Sequence, residues 1–473
     1  MCSAAALAAL LAGCAAPPTY VRPKVTLPAA WKVEGPWREM SPQDAVPRGA
    51  WWKVYRDVAL DALQDKAVAG SPNLSIASAR LAQARSTVNS ANSGLFPQVS
   101  LNARSSRLEI SANRPLTNYN SVNSSTIQND YALSFSVAYE ADLFARVRSG
   151  VEAARAGAAQ AAADLENVRL ILSSDLAANY FNLRELDIEI DVLARSIALQ
   201  RRALGLAQSR HDLGATSGLD VAQQQALLDS TLTQVDVLKR QRDQFEHAIA
   251  TLVGEPAPQF AIAPEIGPRA APAVPLGVPS DVLERRPDVA SAERAVAAAN
   301  AQIGVARAAY FPSIILSPTA GFDSRIFPLL FNAPSQLWSL GVALTQPLFD
   351  AGRADATVDF AKAGYDAAVG NYRRVVLTAM QEVEDGITSS AALDRALEQS
   401  ARATRSAEEV LRLATDRYEG GVATYLDVIT AQQALLNSQR QSAQLLGQRL
   451  LVSVFLIKAL GGGTPDGVAA AAR

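Results

Sequence analysis

Residues that usually carry chemistry are scarce in this sequence. Its 473 residues include two His and two Cys. That is too few ligands for a His/Cys metal centre and too few thiols for a disulfide framework. Both thiols, Cys2 and Cys14, fall within the first fourteen residues. The glycines are scattered rather than gathered into a phosphate-binding loop. Neither sign of charge dominates: 44 basic side chains stand against 46 acidic ones, a formal net charge of −2. A nucleic-acid partner would call for a clustered basic excess, so none is expected. Composition is 49% hydrophobic, yet no run of 18 apolar residues appears and no transmembrane helix is readable. No catalytic residues, no metal and no non-covalent cofactor are expected.

Proline is missing from two long blocks. None of the 24 prolines lies between residues 116 and 255, and none between 348 and 464. A proline inside a helix costs about 3 kcal/mol. Both blocks are rich in Ala, Leu, Gln, Arg and Glu, so they read largely as long helices. A helix over residues 146–212 would run about 100 Å at about 1.5 Å per residue. No globular core is that long, so such a helix must pack along its length against parallel neighbours.

What is present begins with a short apolar run, residues 3–13, ending in Leu11-Ala12-Gly13-Cys14. This resembles the lipobox of bacterial lipoprotein leaders. Residues 1–13 would then be a signal peptide, too short to span a bilayer, and the Cys14 thiol would carry the lipid (diacylglycerol, with palmitate). The alternative is a chance match in an Ala-rich stretch. Residues 14–57 are Pro-rich and hold Trp31, Trp37, Trp51 and Trp52. They read as a strap ordered on contact, not a domain.

The chain repeats itself. Residues 210–228 and 417–435 share seven of 19 positions at a constant offset of 207. Phe96-Pro97 matches Phe311-Pro312, and Leu143-Phe144 matches Leu348-Phe349. Three echoes in one order imply a tandem duplication. Each half predicts a helix (58–92; 280–309), a Phe-Pro turn and two strands (95–108 and 130–144; 311–324 and 336–348). A long helix (146–212; 353–418), a Gly-containing turn and a returning helix (219–253; 426–460) follow. The domain division is 58–94, 95–144 and 145–254 for the first half and 280–309, 310–350 and 351–460 for the second. A Pro-rich linker, 255–279, joins them, and 461–473 is a tail. Leu228, Val235 and Ile249 fall on one seven-residue register, as do Ile429, Leu436, Ala443, Leu450 and Ile457. Sustained sevens argue coiled-coil packing; an ordinary amphipathic helix would drift.

The strands alternate. Tyr131, Leu133, Phe135, Val137 and Tyr139 interleave with Ala132, Ser134, Ser136, Ala138 and Glu140. Trp338, Leu340, Val342 and Leu344 interleave with small or polar residues. This is the pattern of membrane-barrel strands, apolar toward lipid with aromatics at the interfaces. A soluble sandwich strand shows the same alternation. Four strands cannot close a barrel, and an open edge is not tolerated in lipid. The chain is therefore expected to oligomerise, and a trimer would supply twelve strands.

Several segments resemble the TolC/NodT-type outer-membrane efflux proteins, in their OprM-like lipoprotein branch. They are Trp51-Trp52 with Asp57, Leu60 and Leu63; Tyr139-Glu140-Ala141-Asp142-Leu143-Phe144; and Leu283-Glu284-Arg285-Arg286-Pro287-Asp288, which continues to Phe311-Pro312. Gln346-Pro347-Leu348-Phe349-Asp350-Ala351-Gly352-Arg353 and residues 417–432 complete the set. The resemblance spans nearly the whole chain. It implies an α+β membrane protein, a homotrimer with one twelve-stranded outer-membrane β-barrel (four strands per chain). A long periplasmic α-helical coiled-coil barrel continues it, with the strap, the Pro-rich linker and the tail as a collar. It also implies a lipid-anchored outer-membrane protein of a Gram-negative bacterium. Such a protein acts as the passive exit duct of a tripartite pump for small molecules such as drugs and toxic compounds. Its partners would be a periplasmic membrane-fusion adaptor and an inner-membrane transporter of the resistance-nodulation-division (RND) class. A duct for type I protein secretion and a structural coiled-coil lipoprotein remain alternatives. Arg285-Arg286-Pro287 reads as a helix start.

Within that picture the turns near Gly214, Thr216 and Ser217, and near Gly421, Val422 and Thr424, are the expected adaptor-docking tips. Glycine there permits a positive φ and close approach; an ordinary helix connection would look the same. Asp427, Leu426, Tyr418 and Asp220 are the expected periplasmic gate. The resemblance implies an acidic ring at Asp427 and a hydrogen bond from Tyr418 to Asp220. Ala423 and Thr430 stand where some relatives carry Arg and Asp, so fewer latches and a single acidic ring are expected. The simpler alternative is that both aspartates favour helix N-termini through the dipole.

Overall fold

The computed structural model describes residues 19–23, 49–113, 125–267, 269–272 and 285–462. They fall into two compact units. The first takes described residues from Met1–Lys24, Arg80–Ala161 and Ala292–Tyr372, the second from Val25–Ala79, Ala162–Ser291 and Arg373–Arg473.

The first unit holds the sheet. Strand β1 (Gln98–Ile110) runs antiparallel to β2 (Thr126–Glu140) in one ladder, from Gln98 opposite Ala138 to Ile110 opposite Thr126. The period-two alternation sorts this ladder into two faces. Val99 and Leu101 lie opposite Val137 and Phe135, while Ser100 and Asn102 lie opposite Ser136 and Ser134. Asn102 Nδ2 donates to Ser136 Oγ at 2.8 Å across the polar face. On its other edge β2 pairs with β3 (Ser313–Leu316) near Glu140 and with β4 (Thr319–Ser324) farther along. Strand β5 (Gln336–Ser339) pairs with β4, and β6 (Val342–Thr345) with β3.

The second half therefore departs from two continuous strands over 311–324 and 336–348. Both are cut, at Ser317-Pro318 and at Leu340-Gly341. Pro318 has no N–H to give a ladder, which confines it to a break. Its carbonyl still accepts from Val137 N at 2.9 Å, and Gly341 O accepts from Ser317 N at 2.9 Å. A Cβ on Gly341 would lie 2.5 Å from Ser317 Oγ, so glycine permits the two breaks to abut.

Each strand pair runs into a long helix through the same corner. Helix α3 spans Arg146–Asp212 and α6 spans Arg353–Glu419, 67 residues each. Asp142 accepts from the backbone N–H of Val147 (3.0 Å) and Arg148 (2.8 Å), and Ala145 takes a left-handed φ of 60°. Asp350 accepts from Gly352 (3.0 Å) and Ala354 (2.9 Å), with Ala351 at φ 55°. These carboxylates satisfy N–H groups that a helix start leaves unpaired. Phe144 stacks on Phe311 at 4.7 Å, clamping the first corner to the Phe-Pro turn.

The second unit holds the main apolar core. Helices α1 (Val58–Gly70) and α2 (Pro72–Ser93) replace the single helix expected over 58–92. The break falls where Gly70 meets the C-terminus of α4 (Gly218–Val253): a Cβ on Gly70 would sit 2.4 Å from Val253 O. Pro72 then opens α2, a position where its missing N–H costs nothing. Likewise α5 (Pro287–Arg307) starts at a proline, and 280–284 lie outside the described residues. Helix α7 (Tyr425–Ala459) completes the second hairpin. Trp51, Leu60, Leu176, Phe181, Ile249 and Val454 are among the residues buried together. Each such side chain contributes about 1.5–3 kcal/mol by leaving water. The heptad positions Ile429, Leu436, Ala443, Leu450 and Ile457 are all buried.

Polar groups tie the strap and linker to this core. Asp57 caps α1 through Ala59 N and Leu60 N, both at 3.1 Å, and accepts the Tyr180 hydroxyl at 2.8 Å. Trp51 Nε1 donates to Ser173 Oγ at 3.0 Å. Arg184 and Arg242 both bind Asp187, at 2.8 and 2.7 Å, and reach the carbonyls of Ala263 and Ile262 in the linker.

Candidate functional site

The two helical hairpins, α3–α4 and α6–α7, end in turns of one design. Ala215 N donates to Arg210 O and Gly214 N to His211 O, both at 2.8 Å. Val422 N donates to Arg417 O at 2.9 Å and Gly421 N to Tyr418 O at 3.1 Å. This pair of bonds needs a left-handed residue after the helix. Gly214 (φ 72°) and Gly421 (φ 75°) supply it, and the space beside each Cα is open. Thr216 is half-buried, while Ser217 and Thr424 are exposed. Leu213 and Leu219 flank the first turn at 83% and 64% exposure; Val422 and Leu426 flank the second at 69% and 55%. Four apolar side chains held in water at two turns form a surface suited to a partner.

The acidic residues expected at the gate are engaged locally. Asp427 Oδ2 accepts from Thr424 N at 3.0 Å and Thr424 Oγ1 at 2.9 Å, closing the first turn of α7. Its side chain otherwise stands exposed. Asp220 takes the hydroxyl of Thr216 in its own hairpin. In the single chain the structure does not bring Tyr418 into the bond expected with Asp220. Thr216, four residues before Asp220, occupies one carboxylate oxygen, Oδ2. Tyr418 packs at a tilt of 53° against Tyr425, ring centres 5.0 Å apart, with the Arg210 guanidinium 4.9 Å from its own ring centre. The Tyr425 hydroxyl donates to Gln224 Oε1 at 2.9 Å. Burial and the nearby Tyr418 and Asp220 push that phenol up to about 12.

Tyr425 and Gln224 were missed by reading the sequence. The signal was there: Gln224 sits four residues before Leu228, on the stripe that the heptads bury. A polar residue on that stripe must find a partner.

On the sheet, Tyr131, Leu133, Phe135, Val137 and Tyr139 share one face of β2. Phe135 is exposed and the others half-buried. Trp338 lies opposite Ala320, Val342 opposite Leu316 and Leu344 opposite Ile314, all on that face. Trp338, Val342 and Leu344 are 64–81% exposed, and Leu340 sits at the strand break. Phe327 packs edge-on against Tyr131 at 5.5 Å. Cys14 lies outside the described residues. Among those residues, no helix is long and apolar enough to cross a membrane.

The pyoverdine export outer membrane protein OpmQ of Pseudomonas aeruginosa is 30% identical over 467 residues, covering 96% of this chain and 95% of the relative. The toluene efflux pump outer membrane protein TtgF of Pseudomonas putida is 30% identical over 466 residues, covering 97% and 96%. A crystal structure of a membrane protein from Pseudomonas aeruginosa superposes with a TM-score of 0.87 at 28% identity, covering 95% and 98%. The family described as outer membrane efflux protein matches residues 63–255 and 278–462, most of both halves. The chain belongs to the outer membrane efflux protein family.

Proposed function

We propose that this protein is the exit duct of a tripartite efflux pump, passing small molecules across the outer membrane to the exterior. Relatives named for pyoverdine, toluene and solvent export support the small-molecule class. The observation that carries the reading is the pair of hairpin tips with exposed Leu213, Leu219, Val422 and Leu426, on a chain matched by the family through both halves. Such tips suit the docking of a periplasmic membrane-fusion adaptor, which would couple the duct to an inner-membrane RND transporter. The duct itself is passive, and the reading assigns the chain no catalytic step.

Three copies would close the barrel, because the strands of one chain leave edges that lipid does not tolerate. On this reading the face bearing Phe135, Trp338, Val342 and Leu344 meets lipid, and the Ser- and Asn-bearing face lines the lumen. Cys14 would carry the lipid anchor. Deleting the gene should raise sensitivity to several unrelated toxic compounds, and a plasmid copy should restore tolerance. Unaltered tolerance to antibiotics, solvents and siderophore load, in a strain without a second family member, overturns the reading.

A further inference from the structure

We propose that the β4–β5 loop, residues 325–335, together with Arg107 forms a docking surface for the phosphorylated, multiply acylated saccharolipid of the outer leaflet, lipopolysaccharide. The inference rests on the outer-membrane reading above.

The loop has a fixed shape and a definite side. Leu329 N donates to Ile326 O at 3.0 Å, Asn332 N to Leu329 O at 3.1 Å and Ser335 N to Asn332 O at 2.9 Å. Ser335 Oγ donates to Leu329 O at 2.8 Å. Directly paired residues of an antiparallel ladder share a face. Phe322 lies opposite Leu133, so it belongs to the face of Tyr131 and Phe135. The loop folds onto that same face. Phe327 packs edge-on against Tyr131 and Phe331 edge-on against Phe322, both at 5.5 Å between ring centres. Leu330 is buried, yet Phe327 and Phe331 remain 61% and 65% exposed. These rings continue the apolar surface of Phe135 and Trp338, which the duct reading turns toward lipid.

Position along the strand selects the leaflet. Helix α3 leaves the sheet beyond Glu140, so the loop caps the opposite end. Tyr131 lies eight residues from Tyr139, about 27 Å along β2. At a strand tilt of about 40° this is about 20 Å of height, most of the roughly 25 Å apolar band that aromatic girdles bound in membrane barrels. With the helices in the periplasm, Tyr131 and the loop stand at the outer boundary.

Charge selects the lipid. Arg107 lies opposite Asn129, on the face of Tyr131 and two residues along from it. Arg325 follows Ser324, whose ladder partner is Tyr131 itself. Strands β1 and β4 flank β2, so the two backbones are about 10 Å apart. Both arginines are exposed, and among the described residues neither forms an ion pair. By contrast, Arg104, on the other face, is held by Asp130. Glu109, next along the Arg107 row, accepts from Ser125 Oγ at 2.9 Å. A guanidinium matches phosphate through two parallel bonds. Two such groups beside an aromatic surface suit a disaccharide with a phosphate at each end and several acyl chains. A phospholipid, with one phosphate, would engage only one of them. The chain's other loop, residues 111–125, is rich in Asn and Ser, so the surface occurs once per chain.

The test is native mass spectrometry of the detergent-purified, full-length trimer. It is titrated separately with bisphosphorylated lipid A, dephosphorylated lipid A and phosphatidylglycerol. The parent should bind one lipid A per chain, about ten-fold more tightly than either other lipid. Arg107→Gln with Arg325→Gln should weaken lipid A about ten-fold and leave dephosphorylated lipid A unaltered. Phe327→Ser with Phe331→Ser should weaken both forms. Affinity is read on the trimer peak alone. Should the double arginine variant not assemble, Arg325→Gln, outside the ladders, should still lose about three-fold. Equal affinity for lipid A and phosphatidylglycerol, or parent-like lipid A affinity in the arginine variants, overturns the surface. Either result leaves the drug sensitivity of a deletion strain standing as support for the duct. Selective lipid A binding beside unaltered tolerance in that strain retains the surface and counts against the duct alone.

Discussion

Among the described residues, Glu185 is the carboxylate whose charge the fold disfavours most plainly. It lies on α3 against Gly447 of α7, where a Cβ would come within 2.6 Å of Glu185 Cγ. Burial, then the adjacent Glu189 carboxylate, push Glu185 from 4.5 up to about 7. Glu189 is already held by Arg440 of α7, at 3.0 Å. The raised value means that the folded state binds this proton more tightly than the unfolded chain does. The contribution is complete below about pH 4.5 and fades as pH rises through about 7. Water reaches this half-buried group and screens it, so the effect is on the order of 1 kcal/mol. Glu185→Gln should melt higher than the parent at pH 8 and show no gain at pH 4.5. An equal gain at both pH values, read by thermal denaturation of the trimer, refutes the assignment. The Asp187 site is of another kind. It satisfies two buried arginines at once, and through their reach to Ile262 and Ala263 fixes the linker.

At the scale of the element, the hairpin tips invite the cleanest separation of shape from function. Gly421 and Gly214 hold left-handed φ values, which most side chains resist at about 1–2 kcal/mol. Asn tolerates that region far better, and both sites face open space. Gly214→Asn with Gly421→Asn should thus assemble normally yet lose efflux, as an adaptor would meet two added side chains. Full drug tolerance at normal trimer levels sinks the docking role. The elements were largely legible beforehand. Proline-free blocks marked the two 67-residue helices, and the sevens marked which residues of α7 are buried. The strand breaks were equally written, in Pro318 and Gly341, although apolar and small residues keep alternating on either side of each. The split of α1 from α2 depends on Val253 approaching Gly70, a contact between residues 183 apart in sequence. The partners of Tyr418 and Asp220 were decided by a choice between near and distant groups. Helical proximity gave Thr216 to Asp220, and a single sequence cannot rank that against a bond across hairpins.

At the scale of the whole molecule, three copies would bring three Asp427 side chains to one mouth. The cap that each makes with Thr424 does not remove its charge, and each stands exposed. Like charges in a narrow opening draw cations and favour multivalent ones. Asp427→Asn keeps an oxygen for the cap and deletes the charge. Reversal potentials across a KCl gradient should move toward non-selectivity, and block by a trivalent cation should weaken at least several-fold. Parent-like selectivity and block refute the ring. The sheet carries a consequence of its own for such an assembly. Between β1 and β2, thirteen consecutive rungs share any load along the strands, so that ladder slides only if all of them yield. The creased strands beside it have ladders of only two to six residue pairs, interrupted at Pro318 and Gly341, where a single backbone bond each bridges the gap. A wall built this way is a stiff panel alternating with a fold line. Bulky cargo pressing outward would be accommodated by flexing at Pro318 and Gly341, while the long panels keep their register.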